Sequence, residues 1–220
     1  MSLSFPPEAE FFDGHVPQDT MAWNNYLVEQ FNRVKPETTN EHDLYGPFGT
    51  LLYDLFPPAE GYQVSPQYNL IPGSIDYAIV YLVIQQRFPI FFVEIKTLLA
   101  LNLASSRAEA DDQMRTRFRD ISNTFGHIPL PTLIGISAMG TRFAVYRHRT
   151  RNQSITPRPI TSHPLYLTNT APLQRWSYDL MEDAGEAELR AIANEVKEMV
   201  LAIGHNCEYC LLCDHSLPLC

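Results

Sequence analysis

Cysteine is missing from most of the chain. All four residues, Cys207, Cys210, Cys213 and Cys220, lie near its C-terminal end, whereas a disulfide-stapled secreted domain spreads them through the fold. The N-terminal stretch MSLSFPPEAEFFDGHVP lacks the basic segment and apolar run of a secretory signal. Long apolar runs are lacking too. The longest is interrupted by Gln85, Gln86 and Arg87, short of the roughly 20 residues that a membrane span needs. These absences lead us to expect an intracellular protein, nuclear or cytoplasmic, not secreted and with no membrane partner. Positive charge is also scarce, with 16 Lys and Arg against 25 Asp and Glu and a net charge of -9. An acidic chain is not a natural general binder of nucleic acid. Apart from Arg33, Lys35, Arg190 and Lys197, however, every basic residue lies between Arg87 and Arg175, so a local basic surface is available. Apolar residues make up 45% of the 220, enough for one domain with a real core.

Taken in order, residues 1 to 18 read as a Pro-rich acidic arm. A helix is expected from Asp19 or Thr20 to Lys35, capped by Thr20, with Trp23, Tyr26, Leu27, Phe31 and Val34 at helical spacing. A second helix is expected from Thr39 or Asn40 to Phe56, kinked or split at Gly46-Pro47 and ended by Pro57-Pro58. Tyr62 to Tyr68 suits an edge strand because of Pro66. Ser74 to Ile84 and Phe88 (or Ile90) to Thr97 read as an antiparallel hairpin turning near Gln85. A charged helix from Ser105 to Thr124 follows, then strands at Leu133 to Ala138 and Arg142 to His148 joined by Met139-Gly140. Residues 149 to 175 read as loop. A last helix runs from Ala184 to Ile203 with Gly204 as its cap, and residues 205 to 220 form a Cys/His-rich tail. The order α-α-β-β-β-α-β-β-α is that of a single α/β domain over 1–204, with a central mixed sheet flanked by helices.

The least polar stretch, Gly73 to Lys96, carries three charges where a buried strand should have none: Asp76, Glu94 and Lys96. A carboxylate moved into an apolar interior costs several kcal/mol unless it is paired, hydrogen-bonded or bound to a metal. A hairpin turning about Gln85 sets Asp76 across from Glu94. The two-residue spacing of Glu94 and Lys96 puts both on one strand face. Two carboxylates and an ammonium at one point suit a Mg²⁺ or Mn²⁺ site, with the lysine beside the attacking water and the metal at the scissile phosphate.

Gly-Ser-Ile-Asp76, an apolar strand, and then Val-Glu94-Ile-Lys96 resemble the PD-(D/E)xK nuclease superfamily, with Ile75 in place of the proline. The resemblance spans about Asn40 to His148 and implies a restriction-endonuclease-like core of order α-β-β-β-α-β. It implies metal-binding roles for Asp76 and Glu94, and a role for Lys96 at the nucleophilic water. It adds Glu41, in the helix before the sheet, as a further metal ligand. Gln113, in the helix after the motif, is implied to position the lysine or the nucleic-acid backbone. Arg107 and Arg117 on the same helix are expected to meet phosphate. So are the basic, aromatic-interleaved segments that include Arg115 and Arg142.

The expected activity is Mg²⁺-dependent hydrolysis of phosphodiester bonds in nucleic acid, DNA rather than RNA. The alternative is an inactive nuclease-like fold that binds nucleic acid or protein. A homodimer is compatible with either. In the tail, Cys207, Cys210, Cys213 and His215 have the residue types and tight spacing of Zn²⁺ ligands but lack a second, well-separated pair.

Overall fold

The structure, a computed structural model, describes residues 23–69, 78–85, 87–163, 165–166 and 168–208; for 78–81 and 204–208 it describes the backbone alone. Four helices and seven strands follow one another as α1 (Asn25–Arg33), α2 (His42–Leu55), β1 (Gln63–Asn69), β2 (Ala78–Gln85), β3 (Phe88–Lys96), α3 (Ala104–Phe125), β4 (Thr132–Met139), β5 (Arg142–Arg149), β6 (Ser154–Thr156), β7 (Tyr178–Asp179) and α4 (Asp183–Glu208).

One mixed sheet runs β1-β2-β3-β4-β5-β6, with β7 on β5. β1, β2 and β3 form an antiparallel meander, β4 lies parallel to β3, and β5 returns antiparallel. The parallel pair requires a crossover, which α3 supplies on one face of the sheet. Phe118 of α3 meets Phe92 of β3 edge-on at 5.0 Å and His148 of β5 at 5.4 Å. The opposite face carries α2 and α4. There Phe56, just past α2, packs on Phe91 at 5.3 Å, and Arg147 of β5 pairs with Glu195 of α4. β3 is therefore covered on both sides, which explains its near-continuous apolar run. Trp23 ties the first described residues to α4: its backbone N–H donates to Glu186 Oε2, its indole to Leu180 O, and Arg190 lies over its ring.

The hairpin register differs from the sequence expectation. Leu82 faces Phe92 and Tyr81 faces Val93, with a bulge between Val83 and Ile84 and Gln85 opposite Phe88. Arg87 takes a left-handed conformation, φ 74°, and Gln85 is itself paired with Phe88, so the turn is not centred on Gln85. The described pairing ends at Tyr81 and Val93, so the expected partnership of Asp76 with Glu94 falls beyond it. Asp76 itself lies outside the described residues.

Other boundaries shift as well. Asn24, not Thr20, caps α1, its side chain accepting from Tyr26 N–H. α2 runs through Pro47 as one helix instead of splitting. Gly204 does not end α4, which continues to Glu208; an interior glycine costs a helix only about 1 kcal/mol. The segment read as loop, 149 to 175, holds one short strand, β6, and a second, β7, follows it; both pair with β5.

Candidate active site

β3 and α3 cross so that two strand positions match two helix turns. Glu94 and Lys96 are two residues apart on a strand, roughly 6.6 Å at about 3.3 Å per residue. Glu109, Gln113 and Arg117 are spaced by four on α3, about 6 Å per step. The stripes are therefore commensurate and run in opposite directions. Lys96 Nζ reaches Glu109 Oε1 at 3.2 Å. Gln113 Nε2 donates to Glu94 Oε2 at 3.0 Å, and Arg117 Nε donates to Glu94 Oε1 at 2.7 Å.

Glu94 is 4% exposed. Burial pushes its carboxyl up to about 7, and the charge of Glu41 adds to the rise. The charge and hydrogen bond of Arg117 and the charge of Lys96 pull the other way. Glu41 precedes the first turn of α2, and its charge also raises Tyr45, whose own burial is the larger cause and to which Glu94 contributes. Glu41, Tyr45 and Glu94 thus share one electrostatic neighbourhood at the end of the sheet where α2 begins. Lys96 and Glu109 form the open side of the site, with Glu109 71% exposed.

Carboxylate oxygens are the donor type that Mg²⁺ and Mn²⁺ take. The raised proton affinity of Glu94 means its partners do not fully offset its desolvation, so a cation there would be favoured. Glu94 and Glu41 carry donors of that type, and both Glu94 oxygens already accept, from Gln113 and Arg117. Among the described residues, no group of three or more His, Cys, Asp or Glu is placed to hold a metal. Asp76, Cys210, Cys213 and His215 lie outside those residues, and of Cys207 only the backbone, at the end of α4, is described.

The four arginines expected at phosphate all have internal partners. Arg107 is buried, donating from Nη1 to Leu101 O at 2.6 Å and from Nε to Ala171 O at 3.0 Å. Arg117 is equally buried, on Glu94. Arg115 grips Asp111 through two bonds of 2.9 Å and donates to Pro157 O. Arg142 donates to Trp176 O at 3.2 Å. The first three lie on turns of α3 that face the sheet or the chain packed beside it, so their charge ties elements together.

Sequence reasoning missed two features. One is the Glu109 partner of Lys96, which the spacing 109-113-117 would have exposed. The other is a buried cluster in which Asp111 accepts from Arg115, from Arg175 Nη1 and from the Tyr146 hydroxyl at 2.8 Å. Comparison of the chain with family models, with curated proteins and with solved structures finds no match.

Proposed function

We propose that the protein is a metal-dependent nuclease, hydrolysing phosphodiester bonds in nucleic acid, DNA in preference to RNA, on a restriction-endonuclease-like core. The order α2-β1-β2-β3-α3-β4 supports that assignment. The observation that carries it is the convergence at Glu94. Gln113, singled out through the family pattern, donates to the Glu94 carboxylate, and Lys96 projects from the same strand face.

In this reading Glu94, Asp76 and Glu41 hold Mg²⁺ or Mn²⁺. The chemistry the ion supplies when bound is polarisation of the scissile phosphate. Gln113 fixes the orientation of Glu94 through Oε2. Lys96 orients the attacking water and offers its ammonium to the charge that develops on the phosphoryl oxygens. Glu109 holds the ammonium at the mouth of the site.

A second reading, an inactive nuclease-like fold that binds nucleic acid or protein, is favoured by one observation. The Arg117 guanidinium sits on Glu94 Oε1, where it competes with any cation. The two readings separate in a cleavage assay on DNA and RNA with Mg²⁺, Mn²⁺ or EDTA. The nuclease reading expects cleavage with Mg²⁺ or Mn²⁺ and none with EDTA. Binding without cleavage in every metal would establish the inactive module.

A further inference from the structure

A second polar site lies on the far flank of α3. Arg115 and Arg119 each follow Gln113 and Arg117 by two residues, about 200° around the helix, and so turn away from Glu94. Between them and the β5–β6 hairpin is a cavity of about 250 Å³ bounded by Arg115, Arg119, Ser122, Asn123, His148 and Gln153. The guanidinium groups only donate; the hydroxyl, amide and imidazole groups can donate or accept, and Ser122 and Gln153 each already donate once, to Phe118 O and Thr150 O. Among the described residues, no carboxylate lines this cavity.

Two observations indicate what it takes. His148 is 3% exposed, and its Nδ1 has no hydrogen-bond partner among the described residues, although buried polar atoms are nearly always paired. Burial lowers the proton affinity of the ring and a hydrogen bond with Gln153 raises it; an anion beside the ring favours its protonated form, in which Nδ1 is a donor. Behind the same wall, one carboxylate, Asp111, serves two guanidinium groups, Arg115 and Arg175. Their other acceptors are the carbonyls of Pro157 and Arg158, so one positive charge is left over in a mostly buried setting. An uncompensated buried charge is costly, and Arg119 adds another at the exposed rim. An anion with several acceptor oxygens answers both features.

A neighbouring cavity of about 360 Å³ shares Ser122 and Gln153 and is walled by Ile128, Pro129 and Leu130, with Arg151 beyond. The first cavity is just below the range of about 300–1,000 Å³ usual for whole small-molecule sites; the two together suit an oxyanion with an organic body. We propose that this pair of cavities binds a phosphate monoester, its phosphoryl group held by Arg119, His148, Asn123 and Gln153 and its organic part lying in the neighbouring cavity. This does not depend on the nuclease reading. The ester is either a free small molecule or the terminal phosphate of a polynucleotide.

The test is calorimetric titration with inorganic phosphate, a nucleoside 5′-monophosphate, and an oligonucleotide carrying either a 5′-phosphate or a 5′-hydroxyl. The side-chain NMR resonances of His148 are followed in parallel. The native chain is expected to bind phosphate and the monophosphate with a shift of the His148 signals. Arg119→Glu, at an exposed position that leaves the core intact, is expected to weaken both by at least about tenfold. Arg119-dependent preference for the 5′-phosphorylated oligonucleotide would identify polymer ends as the source; equal binding of the two oligonucleotides would identify the free ester. Absence of phosphate binding, or binding that Arg119→Glu leaves unchanged with His148 unshifted, would overturn the proposal.

Discussion

Arg117 and Glu94 meet at 2.7 Å with both side chains under a tenth exposed. Removing one member of such a pair strands the other in a poorly solvating place. Arg117→Met should therefore destabilise the fold by about 3–5 kcal/mol at pH well above 7, where Glu94 is ionised. The loss should shrink in acid, where Glu94 becomes neutral. Urea denaturation at two pH values measures both, and an equal loss at both would show that the pair is not the cause.

The proton affinity of Glu94 sets a direction for pH dependence. Its carboxyl ionises near 4.5 in the unfolded chain and is pushed up by burial to about 7 in the fold. The folded state therefore binds the extra proton between those values. The contribution is fully present below about pH 4.5 and is lost as pH rises through about 7. Measured as native minus Glu94→Gln, the stability difference should fall by about 3 kcal/mol across that window. A flat difference would mean that Glu94 is not desolvated as described.

Asp111 accepts from Arg115, Arg175 and Tyr146 at once. Asp111→Asn should cost about 3–5 kcal/mol because two guanidinium groups lose their anion. Tyr146→Phe removes one hydrogen bond and should cost about 1 kcal/mol. Thermal or urea unfolding that ranks the two in the reverse order would contradict this account of the cluster.

Gly135 is required by close packing. A Cβ there would lie 2.4 Å from the Phe92 ring and 2.8 Å from Met114 Cε, under the crossover helix. Gly135→Ala should destabilise by about 1–3 kcal/mol through overpacking. Phe92→Leu in the same chain should recover part of that loss, which a double-mutant cycle in urea would detect.

The elements that were legible in the sequence are those that bury a periodic apolar pattern. β3 reads from its apolar run Phe88–Val93 and α4 from apolar residues at helical spacing, whereas α3 is marked by its density of charge. The family pattern singles out Gln113, but as a partner of Lys96 or of the nucleic-acid backbone; in the fold it donates to Glu94. The hairpin register was not legible, because the bulge at Val83/Ile84 and the left-handed Arg87 leave no compositional mark. The roles of Arg107, Arg115 and Arg117 were hidden for another reason. Charges on a helix look solvated until their acceptors are known, and those acceptors, Leu101 O, Ala171 O, Pro157 O and the carboxylate of Glu94, belong mostly to the backbone or to distant chain. β6 and β7 span three and two residues, too short for any period to show.

The central claim is that Glu94 and Lys96 carry phosphodiester hydrolysis. The most direct measurement compares Mg²⁺- or Mn²⁺-dependent cleavage of DNA by the native chain with cleavage by Glu94→Gln and Lys96→Met, each checked for native circular dichroism. Glu29→Ala, at an exposed position of α1 whose ion-pair partner is the equally exposed Arg33, serves as the comparison for an ordinary surface change. The account predicts cleavage by the native chain that both site variants abolish while keeping their fold. Cleavage that persists undiminished in both folded variants would contradict it.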